Sequence, residues 1–237
     1  MRIAAIGDLH YRENSGGLLR DLFLQMSRAA RIAVLCGDLT DRGTPEEARV
    51  LAADLREFLT IPTIAVLGNH DYQCSQEGEV ARILAEEASV HVLDGDCVAI
   101  EGIGFSGTKG FCGGFGRATL EPWGEPILKE FVQEAVNEAR KLEDGLAKLR
   151  TDKRVAVLHY SPIHATVQGE LPEIVPYLGS QRLVEPINTF QASAAVHGHA
   201  HHGSPMGRTS AGIPVYNCAL PLLRHHFPDA PFRLIEV

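Results

Sequence analysis

A disulfide framework is absent from this chain. Its five cysteines, Cys36, Cys74, Cys97, Cys112 and Cys218, are odd in number, scattered and never paired as CxxC. That excludes a stapled scaffold and predicts reduced, buried thiols. Long apolar runs are absent too. The opening MRIAAIGDLHYRE turns polar at Asp8, too early for the apolar stretch and cleavage site of a signal peptide, and no later run reaches membrane-spanning length. These features predict a cytoplasmic protein with no membrane association. Basic residues are not in excess either: 22 Lys and Arg stand against 30 Asp and Glu, for a formal net charge of −8. Such a balance disfavours polymeric nucleic acid or an anionic bilayer as partner, while local cations could still hold a small anionic substrate. No internal repeat or low-complexity tract divides the sequence. At 237 residues and 45% hydrophobic it can bury a full core, and it reads as a single domain over 1–237.

What the chain does have is a regular alternation. Short apolar runs at 2–7 (RIAAIG), 31–37 (RIAVLCG), 63–68 (TIAVLG), 154–159 (RVAVLH) and 193–198 (SAAVHG) alternate with helical stretches near 17–30, 44–59, 76–88, 125–149 and 180–190. The second helix is announced by Thr44 with Glu47, a capping box, and by Pro45 at its first position. The helix near 125–149 sets Ile127, Phe131, Ala135, Leu142, Leu146 and Leu149 broadly on one face. Near-continuous apolar strands between helices predict a largely parallel sheet covered on both faces. A hairpin-like stretch at 90–102 and closing strands at IPVYNC and FRLIEV add antiparallel character, so two sheets are expected.

Each parallel-type strand runs into a potential ligand: Asp8 and His10, Asp38, Asn69 and His70, His159, then His199 and His201. Ligands of open α/β sheets bind outside the carboxyl ends of the strands. Alone, each residue has an ordinary explanation. Asp8 and Asp38 suit turns or helix caps, Gly68-Asn69 is a common turn pair, and a single His159 would usually be a satisfied buried histidine. Oxygen and imidazole donors at five strand ends together point instead to one site. Carboxylate, carboxamide and imidazole without thiolate suit Mn, Fe or Zn, and the donors are too many for one ion. Two ions sharing a carboxylate form a clamp for in-line displacement at phosphorus.

In order along the chain stand DLH (8–10), GDLTDR (37–42), GNHD (68–71), LHYSP (158–162) and GHAH (198–201). This series resembles the calcineurin-like metallophosphoesterases, closest to their small phosphodiesterase branch. The resemblance implies an α/β fold, a four-layer α/β/β/α sandwich of two mixed sheets flanked by helices. It also implies two divalent or mixed-valence transition-metal ions (Mn, Fe or Zn). Asp8, His10 and His201 would hold the first ion, Asn69, His159 and His199 the second, and Asp38 would bridge them. His70 would act on the substrate without binding metal, oriented by a hydrogen bond to the Asp41 carboxylate. The histidine-rich VHGHAHHG (196–203) thereby resolves into two ligands, with His197 closing a strand and His202 a bystander.

The implied activity is hydrolysis of a small phosphoester through hydroxide activated by two metals, with a phosphodiester such as a cyclic nucleotide preferred. A phosphomonoesterase, a nuclease for small oligonucleotides and a non-catalytic scaffold are the alternatives. Arg42 and Lys109 are candidate substrate cations. The glycine-rich stretch at 108–126, with Phe111, Phe115 and Trp123, reads as a lid over the substrate, its aromatics available for stacking.

Overall fold

The computed structural model describes residues 1–237. It holds a five-stranded and a six-stranded sheet. In the first, β1 (Arg2–Ile6), β2 (Ile32–Cys36), β3 (Thr63–Val66) and β4 (His91–Val92) are parallel, and β11 (Arg233–Glu236) closes one edge antiparallel to β1. In the second, β6 (Ile103–Thr108), β7 (Lys153–Leu158), β8 (Ala194–His197) and β10 (Pro214–Asn217) are parallel, flanked by antiparallel β5 (Cys97–Ile100) and β9 (Met206–Arg208).

The sheets face each other across the larger core, in which Ile3, Val34 and Ile64 of the first join Phe105, Val155, Val157 and Val196 of the second. Outside the first sheet lie α1 (Arg20–Ala29), α2 (Pro45–Phe58) and α3 (Glu77–Ala88), which contribute Phe23, Leu51 and Ile83 to the same core. Outside the second, α4 (Pro126–Lys148) and α5 (Val184–Thr189) bury Leu142, Leu146 and Ile187 against Ala156 and Leu158. The result is the expected four-layer α/β/β/α sandwich. The capping box at Thr44 is also present: its hydroxyl accepts from the Glu47 N–H at 3.3 Å, and the Glu47 carboxylate accepts from the Thr44 N–H.

Four expectations differ from the structure. The stretch at 90–102 is not a hairpin, because β4 pairs with β3 in the first sheet and β5 with β6 in the second. The hairpin lies one step later, where Glu101 (φ 50°) and Gly102 (φ 83°) make the two-residue turn that both positive angles require. Residues 214–217 pair parallel with β8, and their antiparallel partner is the short β9. Ile127 is 72% exposed: it stands in the first turn of α4, whose buried face begins only at Val132. Of the cysteines, Cys36, Cys112 and Cys218 are buried, but Cys74 is exposed. A sixth helix, α6 (Leu220–His226), packs Leu220 and Leu223 into the larger core.

Candidate dinuclear metal centre

The loops leaving β1, β2, β3, β7 and β8 meet at one end of the sandwich. Their backbones are unusual: Asp8, His10, Asp38 and His199 all adopt the left-handed region, at φ of 58°, 46°, 48° and 68°. Non-glycine residues enter that region at a cost, which elsewhere marks functional geometry. Two glycines allow the loops to close in. A Cβ on Gly68 would stand 2.2 Å from Asp38 Oδ1, and one on Gly198 would stand 2.4 Å from Asp8 Oδ2.

Three groups of donor atoms result, each compact enough for an ion: Asp8 with His10 and His201, His10 with Asp38 and His70, and Asp38 with His159 and His199. His201 Nε2 lies 3.0 Å from Asp8 Oδ1, and His159 Nε2 lies 2.9 Å from Asn69 Oδ1 and 3.3 Å from Asp38 Oδ1. Donors bound side by side to one ion at about 2.1 Å stand about 3.0 Å apart, so these separations suit transition-metal coordination. Both ring nitrogens of His10 are buried and make no hydrogen bond. Buried polar atoms are nearly always paired, and an imidazole without a partner beside two aspartates is what an ion site supplies.

Supporting contacts set each candidate ligand. His159 Nδ1 donates to the Cys36 carbonyl at 2.9 Å, a bond between strands of the two sheets that leaves Nε2 with its lone pair facing Asp38. His199 Nε2 reaches the Tyr177 carbonyl at 3.3 Å, leaving Nδ1 available, and its backbone N–H donates to both Asp8 oxygens at 3.0 Å. The His70 backbone N–H donates to Asp38 Oδ1 at 2.8 Å. Burial pushes the Asp38 carboxyl up and drives His199 down to about 3. His10 is lowered by burial as well, so its imidazole is held neutral, the form a metal ligand needs. At Asp8, burial alone would raise the carboxyl, but the contact with His201 and the neighbouring histidines outweigh it and hold it low. His201 is raised in return by that contact.

Other sequence-derived roles take a different form. His70 Nδ1 does meet Asp41, but at its backbone carbonyl, 2.7 Å away. The Asp41 carboxylate instead pairs with Arg12 and lies 3.9 Å from His10 Nδ1. Lys109 is buried: its ammonium donates to the Gly110 carbonyl and sits 5.0–5.5 Å from the ring centroids of Phe111, Tyr72 and Tyr160. This box holds it in the interior, so it is not a free substrate cation. The Arg42 side chain is exposed, and its guanidinium has no carboxylate partner. His197 closes β8 and is buried, with Nε2 2.8 Å from Thr166 Oγ1, and His202 is exposed.

The stretch at 108–126 is not a free-standing lid. Gly113 and Gly114 donate to the Pro176 and Gly179 carbonyls, and the Gln181 N–H returns to Gly114. Phe111 packs on Phe131 at 4.9 Å and Phe115 is buried with Val167, Leu178 and Ala200, so only Trp123, 71% exposed, is open for stacking.

Asp71, which was not among the candidate residues, is central to the site's framework. Its fully buried carboxylate accepts from the Leu39, Thr40 and Gly68 N–H groups and from the Thr40 hydroxyl, lacing the Asp38 loop to the Asn69–His70 loop. Its place as fourth residue of GNHD was the available signal.

The fold has known counterparts. The chain is similar to phosphopantetheinyl hydrolase from Mycobacterium tuberculosis, with a TM-score of 0.67 at 18% identity over 98% of this chain and 95% of that one. It is also similar to the protein TT1561 of Thermus thermophilus, with a TM-score of 0.56 at 17% identity over 91% and 88% of the two chains. At these identities the likeness is one of fold. No curated protein matches the sequence at a significant level. The profile of the calcineurin-like phosphoesterases matches residues 1–203, which span all five ligand loops, and the chain belongs to that family of dinuclear metallophosphoesterases.

Proposed function

We propose that the chain hydrolyses a small phosphodiester, with a cyclic nucleotide as one suitable form, at a centre of two Mn, Fe or Zn ions. The carrying observation is that the outer donor groups, Asp8–His10–His201 and Asp38–His159–His199, are joined by a third that contains His10 and Asp38. Asp8, His10 and His201 would hold the first ion, Asn69, His159 and His199 the second, and Asp38 would be shared by both. When bound, such a pair supplies an activated water and neutralises phosphoryl charge.

The protein's own groups do the rest. Asp71 keeps the Asp38 and His70 loops in register. His70 donates Nδ1–H to the Asp41 carbonyl, so Nε2 is the atom directed to the reaction. As the P–O bond breaks, a proton from His70 Nε2 passes to the departing oxygen, which leaves as an alcohol. Asp41 is a positioning residue, acting through His70. The acidic balance of the chain favours a small substrate over polymeric nucleic acid.

The test is metal-free protein reloaded separately with Mn, Fe and Zn, then assayed on aryl phosphodiester, aryl phosphomonoester and cyclic nucleotides. Restored hydrolysis with the diesters ahead is expected. Monoester preference overturns the diester assignment, and failure of every metal on every substrate overturns the enzyme reading.

A further inference from the structure

Two arginines neighbour Asp41, whose carbonyl holds His70, and only Arg12 is fixed by its carboxylate. Arg42 follows Asp41, but its backbone N–H is fixed by Glu47 while its guanidinium pairs with no carboxylate. Arg12, two residues beyond His10, is fixed at both ends. At its backbone, the Arg12 N–H donates to Ser15 Oγ at 3.0 Å and its carbonyl accepts from the Ser15 N–H at 2.9 Å. The preceding Tyr11 is buried and bridges to Thr40, with the Asp41 N–H donating to the Tyr11 carbonyl at 2.9 Å. At its tip, Arg12 Nε lies 3.1 Å from Asp41 Oδ2 and Nη2 lies 3.4 Å from Oδ1.

That forked pairing occupies two of the five guanidinium N–H groups and leaves three free. The side chain is 65% exposed, so the free edge faces solvent. Asp41 also fixes where this edge stands. One of its carboxylate oxygens is 3.9 Å from His10 Nδ1, its carbonyl holds His70, and the His10 and His70 rings are 4.5 Å apart. Arg12 and His70 therefore hang from one residue, beside His10 of the donor cluster.

Building on the proposed reaction, in which His70 protonates the departing oxygen, we infer that Arg12 receives an anionic group carried by the leaving portion of the substrate. A second phosphate is the chemistry a preset guanidinium fork fits best. The substrate class is thereby narrowed to diphosphate-linked compounds, in which each phosphorus is a doubly substituted, diester-like centre and the departing oxygen, protonated by His70, leaves on the second phosphate in place of an alcohol. Arg12 is a specificity residue, and Asp41 aligns both it and His70.

The test compares ADP with AMP as competitors of bis(4-nitrophenyl) phosphate hydrolysis by the manganese-loaded protein, with calorimetric binding of both nucleotides in parallel. Arg12→Ala is expected to weaken ADP at least tenfold more than AMP, and Arg12→Lys to recover part of the difference by returning the charge without the fork. Equal weakening of both nucleotides, or no change, overturns the inference and reduces Arg12 to a surface ion pair. If hydrolysis is absent in the wild type while calorimetry shows the selective loss of ADP in Arg12→Ala, the binding role stands and the hydrolase reading falls.

Discussion

The ligand loops and the glycine-rich loop after β6 are both irregular backbone at the same end of the sandwich, yet different forces hold them. In the ligand loops, carboxylates are the staples. Asp8 anchors the His199 N–H, Asp38 the His70 N–H, and Asp71 binds two loops at once. In the loop at 108–126, the staples are backbone hydrogen bonds to the 176–181 segment and inward-turned Phe111 and Phe115. The first kind of loop accepts left-handed backbone, costing of order 1–3 kcal/mol per residue, to aim polar side chains at one point. The second uses glycines to pack. Irregular backbone becomes a reaction site only where side-chain charge defines its shape.

Four substitutions break or sharpen this contrast. The largest effect is expected for Asp38→Asn, which removes the carboxylate common to two donor groups. Bound metal should fall below one ion per chain, with activity down roughly 10³-fold, or about 4 kcal/mol of transition-state stabilisation. Full metal content by elemental analysis would show that Asp38 is not shared. His70→Ala comes next, with turnover reduced about 10²-fold or more and metal content retained. Metal loss in that variant would make His70 a ligand. Asp71→Ala strips the partner from three backbone N–H groups and a hydroxyl, and should cost about 2–3 kcal/mol in urea unfolding. A shift no larger than a surface substitution gives would deny that this carboxylate laces the loops. Last, Trp123→Ala alters the one exposed ring of the glycine-rich loop and should change stability by less than about 0.5 kcal/mol. Activity should stay within roughly twofold, the scale at which surface changes act. A much larger loss of activity would restore a substrate-covering role to that loop.

The parts readable from the sequence were those written in local pattern. β1, β2, β3, β7 and β8 are continuous apolar runs, and α2 carries its own cap and proline, so their positions follow from neighbours in the chain. The convergence of the donor side chains was legible because strand ends in such sheets face one edge. What escaped was tertiary. β4 is two residues long, and nothing local says that it joins one sheet while β5 joins the other. Lys109 looked free because Tyr72 and Tyr160, two walls of its box, come from distant segments. Asp41 was expected to act through its carboxylate, whereas a backbone carbonyl does the orienting, and every residue has one. Arg12 owes its aim to a carboxylate in another loop.

The position of β1 has a consequence for the order in which the molecule assembles. β1 is an interior strand only because β11 covers it, pairing Arg2 with Glu236 and Ala5 with Arg233. Gly7, just before Asp8, is clasped between the Cys218 carbonyl at 2.8 Å and the Leu220 N–H at 3.0 Å. β1 is thus completed by β11, a pairing of large sequence separation whose loop-closure cost slows folding. Until that closure, β1 keeps an open, apolar edge. The acid that would hold the first ion thus follows directly on a residue whose hydrogen bonds come from the far end of the sequence, so its loop is completed only through long-range contacts.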